Sequence, residues 1–170
     1  MQIEMVSDHK KQYLPLLLLA DEQESMVDRY LERGTMFVLV DGDVKTVCVV
    51  TDEGGGVLEI KNLATVPEHQ GKGYGKAMIH YVAARYSGTH HTLQVGTGDS
   101  PLTIPFYEKC GFTRSHLIPN FFLDHYDHPI VEGGKQLVDM VYLSQSIEHA
   151  KSIGVADRLE QWNKDGSQYE

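Results

Sequence analysis

Three shortages constrain this chain before any motif is read. It has two cysteines in 170 residues, Cys48 and Cys110, far apart and without metal-type spacing. That excludes a disulfide framework and a cysteine zinc site, and it points to a reduced, cytoplasmic protein. Basic residues are scarce: 15 Lys and Arg face 24 Asp and Glu, a formal net charge of −9. No basic face is available to neutralise phosphates, so nucleic acid is not an expected partner. The acidic balance leans weakly toward a cationic substrate instead. Long apolar runs are also missing. The longest, Leu14 to Ala20, is interrupted by Pro15 and is far too short to span a bilayer, so no membrane partner is expected. Met1 to Val6 reads as a short strand containing Glu4, not as a secretory leader. Internal repeats and linkers are absent too.

What is present is a soluble globular composition, 41% apolar and 23% charged, in a length suited to one ordinary domain. Gln2 to Val6 reads as a first strand. A helix capped by Asp8 is expected through Ala20, with Leu14, Leu17 and Leu18 on one face. A second helix opens at Asp21-Glu22-Gln23-Glu24, whose acidic side chains complement a helix N-terminus, and stops at Gly34. Met36 to Val40 and Val44 to Thr51 form a hairpin about Asp41-Gly42. After the turn Glu53-Gly54-Gly55-Gly56 a strand runs from Val57 to about Val66, ended by Pro67. A helix over Gly75 to Tyr86, a strand over His91 to Val95 and a short helix over Leu102 to Lys109 follow. Phe112 to Phe122 and Leu137 to Ser144 read as late strands. The division is therefore a domain over 1–146 and a polar, helical tail over 147–170.

The most informative segment is Gln70-Gly71-Lys72-Gly73-Tyr74-Gly75, set between a strand and a helix start. Amide N–H groups converge at such a turn and the helix dipole favours negative charge, the arrangement that binds a pyrophosphate. The spacing is not that of the nucleoside-triphosphate loop, which needs four residues between its first Gly and Gly-Lys-Ser/Thr. Nor is it the dinucleotide fingerprint, because the glycines alternate and an antiparallel hairpin precedes the turn.

Gln70, Gly73 and Gly75, preceded by Ala64-Thr65-Val66-Pro67-Glu68, resemble the Arg/Gln-x-x-Gly-x-Gly/Ala signature of the GNAT superfamily of acetyl-CoA-dependent N-acetyltransferases. A second block of that family, a short helix ending in Tyr and then Gly-Phe, is met by Phe106-Tyr107-Glu108-Lys109-Cys110-Gly111-Phe112. The two blocks stand in the family's order and separation, and the resemblance covers roughly residues 2 to 144. It implies a mixed α/β fold with a mostly antiparallel central sheet of about seven strands flanked by helices. Acetyl-CoA is the implied acetyl donor.

On the same resemblance, amides from Gly71 to Lys76, including those of Lys72, Gly73, Tyr74 and Gly75, grip the pyrophosphate, with Gln70 beside them. Leu63, Ala64, Thr65 and Val66 pair with the pantetheine arm, and an amide near Leu63 polarises the thioester carbonyl. Where the family often has Asn, seven residues before its Tyr, this chain has Ser100, which makes fewer kinds of hydrogen bond to a cofactor. Glu59, eleven residues before Gln70, occupies the position of a glutamate base, and Tyr107 that of the phenol acid beside the CoA sulfur.

Substrate choice is assigned to the early helices and to Asp124 to Gly134, which match no general family pattern. The named substrate-binding candidates are Asp124 and Tyr126, with Glu24, Asp28 and Glu132 as weaker ones. Asp124-His125-Tyr126-Asp127-His128 has metal-type ligands, but adjacent residues do not converge easily on one ion, so no metal is expected. The expected reaction is transfer to a primary amine by direct attack, the acceptor being a small cationic molecule. Alternatives are a protein amine as acceptor, or an acetyl-CoA sensor without turnover. A homodimer is expected by analogy with the family.

Overall fold

A computed structural model describes residues 1–150 of the chain. The tail expected over 147–170 lies almost wholly outside the described residues. The chain builds β1 (Gln2–Val6), α1 (Leu14–Ala20), α2 (Glu24–Val27), β2 (Thr35–Asp41), β3 (Asp43–Asp52), β4 (Val57–Thr65) and α3 (Tyr74–Tyr86). Then come β5 (Thr92–Gly98), α4 (Ile104–Lys109), β6 (Thr113–Ile118), α5 (Phe121–His125), β7 (Val131–Glu132), β8 (Lys135–Gln136) and β9 (Met140–Ser146). Seven strands form one sheet in the order β1-β2-β3-β4-β5-β9-β6, and β7 and β8 make a separate hairpin. Every neighbouring pair in the large sheet is antiparallel except β4 and β5. The mixed, mostly antiparallel architecture expected from the sequence is the one observed.

The two faces of the sheet carry separate cores. On one side α3 buries Met78, Ile79 and Val82 completely against Phe37, Cys48, Leu58, Ile60 and Leu93. Full burial of such a side chain contributes about 1.5–3 kcal/mol relative to exposure. On the other side Leu17, Val27, Tyr30 and Leu31 cover Met36, Val38, Val47, Val49 and Ala64. Lys10 ties this second layer together. Its ammonium donates to the carbonyl oxygens of Leu31 (2.9 Å) and Gly34 (2.8 Å), where the segment after α2 ends.

Three departures from the sequence reading matter for the site. Asp8 does not cap a continuous helix: Lys10–Tyr13 is a 3-10 turn and α1 begins at Leu14. Pro15 explains this, because its ring and missing N–H forbid an α-helix through it from Asp8. The second helix spans only Glu24–Val27, so Asp21 and Glu22 lie in the link before it. Finally, the strand expected to reach Phe122 ends at Ile118. Pro119 breaks the ladder, Asn120 turns left-handed (φ 58°), and α5 follows. Beyond α5, Gly133 and Gly134 both have positive φ and close the hairpin of β7 and β8.

Leu93 is fully buried in β5, between the two strands that flank it. Leu93→Ala is expected to lower unfolding stability by about 2–5 kcal/mol in urea titration, with an unchanged denaturant slope.

Candidate active site

The site exists because β4 and β5 part company. Their parallel pairing runs from Val57–Thr92 to Ile60–Val95 and stops there, although β4 continues to Thr65 and β5 to Gly98. A β-bulge helps. Val49 pairs with Asn62 and Val50 with Ile60, leaving Lys61 as an extra residue in β4. Glycines on β5 let β9 press in from its other side. A Cβ at Gly96 would meet Met140 Sδ at 2.6 Å, and one at Gly98 would meet Leu137 at 2.4 Å.

The parted strands enclose a cavity of ≈ 500 Å³. Ile60 to Thr65 and Val95 to Gly98 form its sides, and Gln70 and Gly75 lie at the end where α3 begins. Phe106 and Tyr107 of α4 line it, as do Asp21 and Glu22 of the α1–α2 link. Phe122, Tyr126 and Glu132 contribute from the segment after β6. The β4 edge beyond Ile60 faces this space rather than β5, which leaves it open to an added strand-like ligand. One of its carbonyls, that of Thr65, accepts a hydrogen bond from Gln70 Nε2 (3.2 Å).

At the end where α3 starts, Gly71 (φ 76°) and Gly73 (φ 87°) both take the left-handed conformation, and Gly73 is the residue before the helix. L side chains rarely adopt such φ values, so the turn that aims the α3 N-terminus depends on glycine. The Tyr74 hydroxyl donates to Asp41 (2.7 Å), fixing α3 to the tip of the β2–β3 hairpin. Tyr74 can thus serve a cofactor only through its main chain.

Of the sequence candidates, the structure brings Leu63, Ala64, Thr65, Gln70, Gly75, Tyr107, Tyr126 and Glu132 to the cavity wall. Val66, Gly71, Lys72, Gly73 and Lys76 lie in or beside the adjoining turn without lining it. Ser100 is buried and directed elsewhere: its hydroxyl accepts from the Leu102 amide (3.1 Å) and hydrogen-bonds Glu132. Glu24 and Asp28 are not on the wall either. Both pair with Lys11 on the outer surface, at 3.0 and 2.8 Å. Asp124 is exposed on α5 and does not reach the cavity. Among the described residues no His/Cys/Asp/Glu group suits a metal ion, and none of the helices is long and apolar enough to cross a membrane.

Glu59 sits one residue behind the wall. Its carboxylate is buried, accepts from Gln94 Nε2 (2.6 Å) and Tyr142 Oη (3.5 Å), and is ion-paired with Lys61, which does line the cavity. Tyr107 packs edge-on against Phe106 and Phe112. Burial, with smaller contributions from Cys48 and Cys110, drives its phenol well above the ordinary range, so it keeps its proton at any physiological pH. Cys48 is fully buried and its thiol is pushed up to about 12, which disqualifies it as a nucleophile.

The family-level observations now converge. The acetyltransferase (GNAT) domain model matches residues 32–114. The N-acetyltransferase YvbK of Bacillus subtilis is 37% identical over 147 residues, 84% of this chain and 94% of that protein. The chain belongs to the GNAT acetyltransferases. A Bacillus subtilis acetyltransferase solved in complex with CoA superposes with a TM-score of 0.78 at 35% identity, over 85% of this chain and 97% of its own. A GNAT acetyltransferase of Elizabethkingia anophelis, solved with acetyl-CoA bound, gives 0.80 at 28% identity, over 85% and 97%. Acetyl-CoA is accordingly the donor, and the residues present fit it. An amide-rich pantetheine arm suits the open β4 edge, and a diphosphate suits the glycine turn before α3.

Among the cavity residues that the sequence reading missed are Asp21, Glu22, Lys61 and Asn62. Asp21 was assigned to a helix N-terminus, whereas it directly follows α1. A carboxylate placed there opposes the helix dipole, and that was the legible signal. Burial raises the Asp21 carboxyl above the ordinary range, only partly offset by hydrogen bonds from Tyr126 and Tyr30. Glu132 is raised for the same first reason.

A raised carboxyl binds its proton more tightly in the folded state. Its contribution to stability is therefore full below the unfolded value of about 3.9 and is lost as pH rises through the folded value. Asp21→Asn should gain stability relative to wild type as pH rises. Thermal midpoints at pH 4 and pH 8 check this, and a difference independent of pH would contradict it.

Proposed function

We propose that this enzyme acetylates a primary amine of a small cationic molecule, by direct attack of the amine on the acetyl-CoA thioester. The observation that carries this reading is the polarity of the cavity. Its walls present Asp21, Glu22 and Glu132, while the one lining lysine, Lys61, is neutralised by Glu59, a net negative lining that attracts an ammonium-bearing acceptor. When bound, the donor supplies an activated acetyl group and a thiolate leaving group.

The chain's own residues divide the remaining work. The open β4 edge and the turn at Gly71 to Gly75, with Lys72 and Lys76 adding positive charge, hold and orient the donor. Main-chain N–H near Leu63 polarises the thioester carbonyl. Attack forms the N–C bond and breaks the C–S bond. Tyr107 gives its phenol proton to the departing sulfur, a role supported by its place on the cavity wall. Glu59 takes the amine's proton through water, since its carboxylate stands behind Lys61 and not on the wall. Ser100 supports the donor indirectly, through the turn that starts α4. No acyl-enzyme forms, in keeping with the inert, buried Cys48.

We place the reaction in a reducing, cytoplasmic setting, which fits two buried free thiols. The exposed edge strand β6, with Leu117 and Ile118 open to solvent, supplies a pairing surface for a homodimer.

Release of free CoA across a panel of primary amines (spermidine, kanamycin and a lysine-containing peptide) tests the reading. Turnover with the small amines supports it; turnover with the peptide alone, or donor binding without turnover, contradicts it. Tyr107→Phe is expected to lower kcat about 10–100-fold while leaving the KM for acetyl-CoA within about twofold. Glu59→Gln is expected to lower kcat about 100-fold and, because it leaves Lys61 without its buried partner, to lower the thermal midpoint as well. Retention of full activity would reduce Glu59 to a holder of Lys61.

A further inference from the structure

We infer that Asp21 and the side-chain oxygen of Asn62 form a seat for a second, non-reacting cationic group of the acceptor. The inference rests on the proposed function and narrows its substrate class to amines bearing two cationic centres.

Asn62 is 2% exposed, lies in β4 on the face covered by α1, and lines the cavity. Its amide nitrogen donates to the Leu17 carbonyl (2.9 Å) and to the Tyr30 hydroxyl (3.0 Å). A flipped amide would set its oxygen against the Leu17 carbonyl, an acceptor only, so the orientation is determined. The oxygen Oδ1 is then turned away from both partners and makes no hydrogen bond among the described residues. A buried acceptor left unpaired costs roughly 1–3 kcal/mol, and in a residue that lines a cavity a ligand that moves the amide slightly outward can supply the missing donor.

Tyr30 joins this amide to Asp21. Having accepted from Asn62, its hydroxyl donates its single proton to Asp21 Oδ2 (3.2 Å). Tyr126, from the segment after α5, donates to Asp21 Oδ1 (2.7 Å). The neighbouring loops are stitched in the same place: the Asp127 amide donates to Gln23 Oε1 (3.3 Å), and His128 stands 3.9 Å from Glu22. Asp21 thus accepts from two phenols and from the Gln23 main-chain amide, which leaves one of the about four lone-pair sites of a carboxylate for a ligand. A carboxylate with capacity to spare and an amide oxygen with no partner, joined through one tyrosine, present only acceptors. The complementary ligand is a group that only donates, which is the definition of an ammonium.

That ammonium is not the nucleophile. A carboxylate beside the attacking amine would stabilise its protonated, unreactive form. The seat also lies on the α1 face of the sheet, with the core of Leu17 and Tyr30, whereas Tyr107 belongs to the opposite core with α3 and α4. One molecule spanning the gap between the strands would place a cation at Asp21 and a second, neutral amine toward Tyr107.

The test is calorimetric titration of the CoA-loaded protein with α,ω-diamines from 1,4-diaminobutane to 1,8-diaminooctane, each beside its monoamine of equal length. At least one diamine is expected to bind ten-fold or more tightly than its monoamine. Asp21→Asn should abolish that preference, and Tyr126→Phe should reduce it about threefold. Asp8→Asn, the same charge change at a side chain 84% exposed, should preserve it. Equal binding of diamine and monoamine, absence of binding by either, or an unchanged preference in Asp21→Asn would overturn the seat. CoA release is read separately. Diamine preference without turnover would stand for the seat and against acetyl transfer to small amines.

Discussion

Everything in this molecule depends on the point where β4 and β5 stop pairing. Up to Ile60 and Val95 they are ordinary parallel neighbours, pinned by the buried contact of Glu59 with Gln94. Past that point the Lys61 bulge redirects β4, while Gly96 and Gly98 let β9 and the segment before it crowd β5 from the other side. A sheet normally pays strand edges off against one another. Here one edge is held open inside the domain, where water meets its polar groups until a ligand supplies the missing partners. The fold and the binding of acetyl-CoA are in that sense one fact.

The two hydrophobic layers give the open edge its polarity. One places aromatic Tyr107 and the α3 N-terminus on one side of the split sheet. The other carries the α1–α2 link, and the segment after α5 folds onto it through Tyr126. That side collects groups unfavourable to folding, the Asp21 carboxyl raised by burial and the Asn62 oxygen without a partner among the described residues, while Glu132, also raised by burial, lies toward Tyr107. Such groups gather where recognition needs them more than stability does.

Much of this was legible in the sequence. Alternating glycines after an apolar strand announced the left-handed turn that precedes α3, and the block ending in Gly111-Phe112 announced α4, whose Tyr107 lines the cavity. The pairing of β2 with β3 followed from the hairpin signal Asp41-Gly42. The acceptor side was far less legible. Glu24, Asp28 and Asp124 were chosen for charge and approximate placement, but whether a carboxylate faces a cavity or Lys11 is set by where a helix begins. Pro15 shortened the first helix and the second began only at Glu24, so Asp21, not Glu24, reaches the wall. Pro119 and Gly133-Gly134 carried the signals for α5 and the small hairpin and were passed over. Asn62 was hidden within a strand read for its main chain.

The most direct test of the central claim is amide hydrogen exchange across β4 with and without CoA. The account predicts that amides between Lys61 and Thr65 that face the split exchange readily in the free protein and become strongly protected when CoA binds. Those of Val57 to Ile60, already paired with β5, should change little. Protection of the whole strand before CoA is added, or no change on binding, would contradict it.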